Sequence, residues 1–207
     1  MNSSTDMGLV KAGLVPLPAW LIVSTIAGLL APGYNPMASH VSVMTLEDGL
    51  SHTLANIAAL SSGIALILFG LGVWRVSQRM FSAGASCWIL FGISMVANGI
   101  WPMGGPMHGL YIIGIFSVLA PALSVLDVQR PSLQRRLHTI TVICSLAGVL
   151  YLWILLNGFD PEGYSGLTQR LFGSINYLWP LVFALQYAKD RQLQASDPSA
   201  AAGAPGA

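Results

Sequence analysis

Apolar residues fall in six long runs, at 14–31, 52–74, 83–101, 108–126, 139–157 and 167–189, separated by short polar stretches. A helix of about 20 apolar residues crosses the ~30 Å hydrocarbon layer of a bilayer, and each run is close to that length. The pattern predicts an all-α polytopic membrane protein: a six-transmembrane-helix bundle over 14–190, preceded by an N-terminal segment at 1–13. The end of the chain, 191–207, is rich in Ala, Ser, Gly and Pro, offers no apolar face to bury, and is expected to be a disordered tail.

The punctuation between runs agrees. Pro32-Gly33 ends the first run, and Pro16 and Pro18 are expected in its first turn or just ahead of it, where proline's missing N–H costs little. A cut after Ala31 would leave Leu29 at the third position back, a poor fit to signal-peptide cleavage, so the run is kept as a helix. In the second run Ala55, Ala59 and Gly63 put small residues four apart, the pattern that lets membrane helices approach closely. The third run stops at Trp101-Pro102, and the very short turn to His108 makes runs three and four an antiparallel hairpin. Pro121 and Pro180 lie inside runs and predict kinks.

Charge adds direction. Lys11, Arg75, Arg79, Arg130, Arg135, Arg136, Lys189 and Arg191 fall on one side of an alternating six-helix arrangement, and Arg170 alone falls on the other. The positive-inside rule then puts both termini in the cytoplasm of a multi-pass protein of the cell inner or plasma membrane. Composition fits: 54% of residues are hydrophobic and 8% charged, against about 25% charged in a soluble domain. A net charge of +1 gives no bulk attraction to nucleic acid, so the expected partner is the lipid bilayer. Cys87 and Cys144 lie in apolar runs and read as small hydrophobes rather than a disulfide.

With this topology the polar residues gather toward the outer side. Glu47, Asp48 and His52 lie at the mouth of the second helix, with Asn56 one turn below His52 on the same face. Asn98, His108, Asp160, Glu162 and Arg170 lie at the same side. An arginine entering a membrane helix needs a partner, and Glu47, Asp48, Asp160 and Glu162 are the carboxylates in range. The minimal catalytic arrangement is acid–base chemistry between His52 and Glu47 or Asp48, with Arg170, His108, Asn56 and Asn98 binding a lipid or isoprenoid ligand. Solvated loop charges and interhelical amide hydrogen bonds are the ordinary alternative for the same residues. No metal-ligand spacing, nucleotide loop, dinucleotide fingerprint or serine-hydrolase elbow is present, so neither metal nor cofactor is expected.

Three functions stand open: a lipid- or isoprenoid-directed binding protein or enzyme, a non-catalytic membrane scaffold or complex subunit, and a small transporter. The transporter has the least support, because the inner halves of the runs carry almost nothing polar. Only a faint echo, Phe-Gly-Ile-Ser at 91–94 and Phe-Gly-Ser-Ile at 172–175, hints at an inverted repeat.

Pro-Gly-Tyr-Asn-Pro at 32–36, the early Asn56, Trp101-Pro102 followed by His108-Gly109, and Gly-Leu-Thr-Gln-Arg-Leu at 166–171 together make the chain resemble the bacterial membrane family known as domain of unknown function 998. The resemblance spans about 14–188 and implies a six-helix integral membrane protein without an assigned reaction. It marks Tyr34, Asn35, Asn56, His108 and Arg170 as family positions. Members of such families often carry an acidic residue after the third-helix stop, where this chain has Met103-Gly104-Gly105. Glu47 or Asp48 is the substitute available here.

Overall fold

A computed structural model of the chain describes residues 3–196. Among them every regular element is helical: Ser3–Lys11 (α1), Pro16–Pro18 (α2), Ser24–Leu30 (α3), Leu50–Ser77 (α4), Ala83–Ile100 (α5), Ala120–Asp127 (α6), Pro131–Leu156 (α7) and Ser165–Ser196 (α8). Segments of 3-10 helix at Ala12–Leu14, Val41–Thr45 and His108–Val118, and a π-helical segment at Ala19–Val23, complete the set.

Among the described residues four helices are long and apolar enough to cross a bilayer: Ser4–Leu30, α4, α5 and α7. His108–Val118 with α6 makes a fifth candidate, bent by 51°. The bend falls where Pro121 sits in the first turn of α6, as its position in the fourth run predicts. α8 has the length, 32 residues, but Arg170, Asn176 and Gln186 and its charged last turns dilute its apolar character.

Several boundaries move from their expected places. The first helix does not begin at its prolines. Ser3–Lys11 is already helical, and the chain passes Pro16 and Pro18 through a 3-10 turn before them and a π-helical turn after them. Such local changes of winding absorb the hydrogen bonds that proline removes. The basic stretch read as a loop before run five is largely the start of α7, whose Arg135, Arg136 and His138 are exposed. Hydropathy does not register helical turns that extend beyond the hydrocarbon. Arg191–Ser196 continue α8, while the remainder of the expected tail, 197–207, lies outside the described residues.

The centre is aromatic. Phe69 of α4 meets Trp88 of α5 and Trp179 and Phe183 of α8 edge-on, with ring centroids 5.8, 6.2 and 5.5 Å away. Trp88 and Trp179 stack at 5.4 Å. Their buried indole N–H groups donate to Ser124 Oγ of α6 at 3.0 Å and Thr141 Oγ1 of α7 at 2.9 Å, so one cluster ties five helices together. α4 and α5 approach closely at Gly63 and Gly92. A β-carbon on either would lie 2.7 Å from the other's carbonyl oxygen. Of the small residues expected to form this stripe, Gly63 packs on α5 and Ala55 is buried, and Gly70 continues the close approach toward the lower end.

Antiparallel packing separates two ends. The lower end carries three buried carboxylates. Asp6 pairs with Arg75 at 2.9 Å. Asp127 Oδ2 accepts from Ser82 Oγ at 2.7 Å and from the Gly84 amide at 2.8 Å, an anion placed at the start of α5. Asp190 accepts from Ser132 and Gln194 and faces Arg130 at 3.5 Å and Arg136 at 4.0 Å. The upper end carries the connections 31–49, 101–107 and 157–164.

Candidate functional site

The upper end is built on a clasp between the loop after α3 and the first turn of α8. Gly33, at φ 68°, turns the chain. Asn35 Oδ1 then accepts the Met37 amide at 3.0 Å, and the Asn35 carbonyl accepts the Ser39 amide at 2.8 Å. The compact turn presents its carbonyls to the free N–H groups of α8. The Leu167 amide donates to Met37 O at 2.9 Å, and Ser165 Oγ donates to Ala38 O at 2.6 Å. Gln169 Oε1 accepts the Val41 amide at 2.8 Å. Gly166 permits the contact, because a β-carbon there would sit 2.3 Å from Ser39 O.

Arg170 closes the clasp. Its Nη1 donates to Pro36 O at 2.8 Å, Gly166 O at 3.0 Å and Ser39 O at 3.2 Å. Its Nη2 donates to Tyr34 Oη, and the guanidinium lies 5.5 Å from the Tyr34 ring centroid. Tyr34 Oη in turn donates toward Ser39 O at 2.9 Å. The expected ion pair of Arg170 with Glu47, Asp48, Asp160 or Glu162 does not form among the described residues. Backbone carbonyls, which carry partial negative charge and are already oriented by the turn, take the place of a carboxylate. Asp160 instead accepts from Thr168 Oγ1 at 2.6 Å.

His108 serves the neighbouring connection. Its Nδ1 lies 3.1 Å from Trp101 O, at the end of α5. The Met103 amide donates to Thr45 Oγ1 at 3.0 Å, docking this turn on the 3-10 segment before α4. His108 and Arg170 are thus each engaged with their own loop.

Glu47 and Asp48 are exposed, and no hydrogen bond or ion pair joins either to His52 among the described residues. The acid–base pairing expected of them is therefore not assembled. What His52 shares is a different feature. Its Nδ1, Asn56 Oδ1 and Asn98 Oδ1 are buried polar atoms without a hydrogen-bond partner. Asn56 and Asn98 lie at matching depth, since a β-carbon on Gly99 would stand 3.0 Å from the Asn56 carbonyl. His52 is one turn above Asn56.

Four other side-chain atoms share that condition. Asp6 Oδ1 and Arg130 Nη1 are held by charge in the ion pairs of the lower end. Trp20 Nε1 and Ser145 Oγ lie on other helices. Among the described residues, three of the five atoms with neither a hydrogen bond nor a counter-ion thus lie on the upper parts of α4 and α5. The set can accept from hydroxyls, amines or amides, but among the described residues no group of three or more metal-binding side chains occurs.

Sequence reasoning marked Tyr34, Asn35, Asn56, Asn98, His52, His108 and Arg170, and the structure sorts them into a clasp (Tyr34, Asn35, Arg170), a cap (His108) and an unpartnered trio. It missed Asp6, Asp127 and Asp190. The available signal was that a chain with only eight acidic residues places Asp127 and Asp190 within three residues of an arginine and Asp6 five residues before Lys11.

No curated protein and no solved structure matches this chain. The family model described as a protein of unknown function, DUF998, matches residues 14–186 and takes in the clasp, the cap and the trio. The chain belongs to the DUF998 family.

Proposed function

We propose that this chain is a multi-pass protein of the cell inner or plasma membrane that binds the polar headgroup of a lipid or isoprenoid at its upper end, without catalysing a reaction on it. The trio His52, Asn56 and Asn98 carries this reading. Each buried group left unpaired costs about 1–3 kcal/mol, and a headgroup that donates to the two amide oxygens removes that cost. The covering side chains seal the three atoms from water, so the headgroup must displace them. Exposed Ile57 of α4 and Ile93 and Ile100 of α5 form an apolar flank for the attached tail and a lateral way in from the bilayer.

In this reading α8 is the sixth crossing, and the lower end, with Arg75, Arg79, Arg130 and Arg136, faces the cytoplasm. Glu47 and Asp48 are solvated charges at the outer surface. A scaffold or complex subunit is the second reading, favoured by the clasp: Arg170 and Tyr34 spend their polar groups on the protein itself.

The experiment is native mass spectrometry of detergent-washed protein, comparing the wild type with Asn56→Leu/Asn98→Leu. The wild type should retain one lipid class, and the near-isosteric apolar variant should retain about tenfold less, the equivalent of two modest hydrogen bonds. Equal retention, or none by the wild type, would give the scaffold reading the field.

A further inference from the structure

A second polar feature lies at the opposite end. Between α1 and the last turns of α8 is an open groove of about 320 Å³ lined by Met7, Lys11, Ala188, Arg191, Gln192 and Ala195. Three of the lining side chains are apolar and two are cations. Elsewhere at the lower end four arginines are neutralised, Arg75 by Asp6, Arg79 by Asp127, and Arg130 and Arg136 by Asp190, while Arg135 and Lys189 are exposed and do not line this groove. Lys11 and Arg191 have no ion pair among the described residues. The carboxylates on the same two helices face away from the groove, Asp6 toward Arg75 of α4 and Asp190 toward Ser132 and Arg130 at the start of α7.

We infer that this groove seats the phosphate of an anionic phospholipid of the lower leaflet, with Lys11 and Arg191 as its counter-charges and Gln192 as a further donor. Charge complementarity fixes the occupant. Two uncompensated cations beside three apolar side chains, at the depth where the arginines of the bundle end, meet the layer in which lipid phosphates lie. Lysine and arginine stems cover apolar surface while their heads reach that layer. A zwitterionic lipid offers the same phosphate with its charge cancelled and binds less well. The site is independent of the upper trio, so either can fail without the other.

The test is lipid binding by the full-length protein in detergent, read by native mass spectrometry with added phosphatidylglycerol or phosphatidylcholine. The wild type should prefer phosphatidylglycerol. Lys11→Gln and Arg191→Gln should each weaken that binding by about fivefold and the double variant by about thirtyfold, at roughly one lipid-facing charge each. Lys11→Arg/Arg191→Lys should restore it, which separates loss of charge from loss of fold. Arg135→Gln/Lys189→Gln removes two exposed cations that do not line the groove and should leave binding near the wild-type level. An equal loss from that control pair, or no preference between the two lipids, overturns the proposal. So does displacement of phosphatidylglycerol by inorganic phosphate at equal concentration, which would reassign the groove to a soluble anion.

Discussion

The Arg170 guanidinium lies over the Tyr34 ring, 5.5 Å from its centroid, while donating a hydrogen bond to the same residue's hydroxyl. These two residues belong to two of the short motifs by which the chain resembles its family, far apart in sequence and joined in space. Arg170 also donates to two loop carbonyls, Pro36 O and Ser39 O, and to Gly166 O in its own helix. Arg170→Ala should lower unfolding stability by about 2–4 kcal/mol, as expected for several charge-assisted bonds on a partly exposed side chain. Arg170→Lys should not rescue it, since an ammonium cannot reproduce the planar fork. Thermal unfolding in detergent measures both, and a Lys variant with wild-type stability would contradict the clasp.

Gly166 should tolerate no side chain. Ser39 O and Pro36 O stand 2.3 and 2.6 Å from the position a β-carbon would take, and both are backbone atoms pinned by the clasp. Gly166→Ala should cost about 1–3 kcal/mol by overpacking. Gly109→Ala, with nothing within 4 Å, is the control and should be close to neutral. The same unfolding measurement separates them.

At the lower end, Asp190→Ala should destabilise by about 3–5 kcal/mol, because it leaves Arg130 facing a buried site without its counter-charge. Arg136→Ala removes the more distant partner, at 4.0 Å, and should cost less. Equal losses from both would show that the Arg136 pair, rather than Arg130, carries most of the contribution of Asp190.

Much of this architecture was legible because hydrophobic burial leaves a one-dimensional trace. The long apolar helices at Ser4–Leu30, α4, α5 and α7, the hairpin after Trp101 and the bend at Pro121 follow from run length, turn length and the missing proline N–H, whereas the sixth run is helical but too polar to stand as a span by composition. The route past Pro16 and Pro18 was not legible, since a change of helical winding has no compositional mark. Arg170 was recognised as needing a partner, yet counting charges pointed to carboxylates, whereas the chain supplied carbonyls. Asp6, Asp127 and Asp190 stayed hidden because each is buried by a helix or connection distant in sequence. The trio at His52, Asn56 and Asn98 was visible as residues, but that their polar atoms lack partners is a property of packing alone.

Glu47→Gln/Asp48→Asn should leave both stability and lipid retention close to wild type, within about 0.5 kcal/mol, because these side chains are exposed and touch neither His52 nor Arg170. A large loss of lipid retention in this variant would return the acidic pair to the site.

Asn56→Leu/Asn98→Leu should raise the thermal midpoint of the lipid-free protein while lowering lipid retention, since it replaces unsatisfied buried amides with apolar groups of similar size. A fall in both quantities would mean that the amides pair within the protein.

An experimental density map of the chain in a lipid nanodisc tests the upper-end site most directly. The expected result is a non-protein headgroup within about 2.7–3.2 Å of Asn56 Oδ1 and Asn98 Oδ1. Amides paired to protein groups, with no density between the upper ends of α4 and α5, would contradict it.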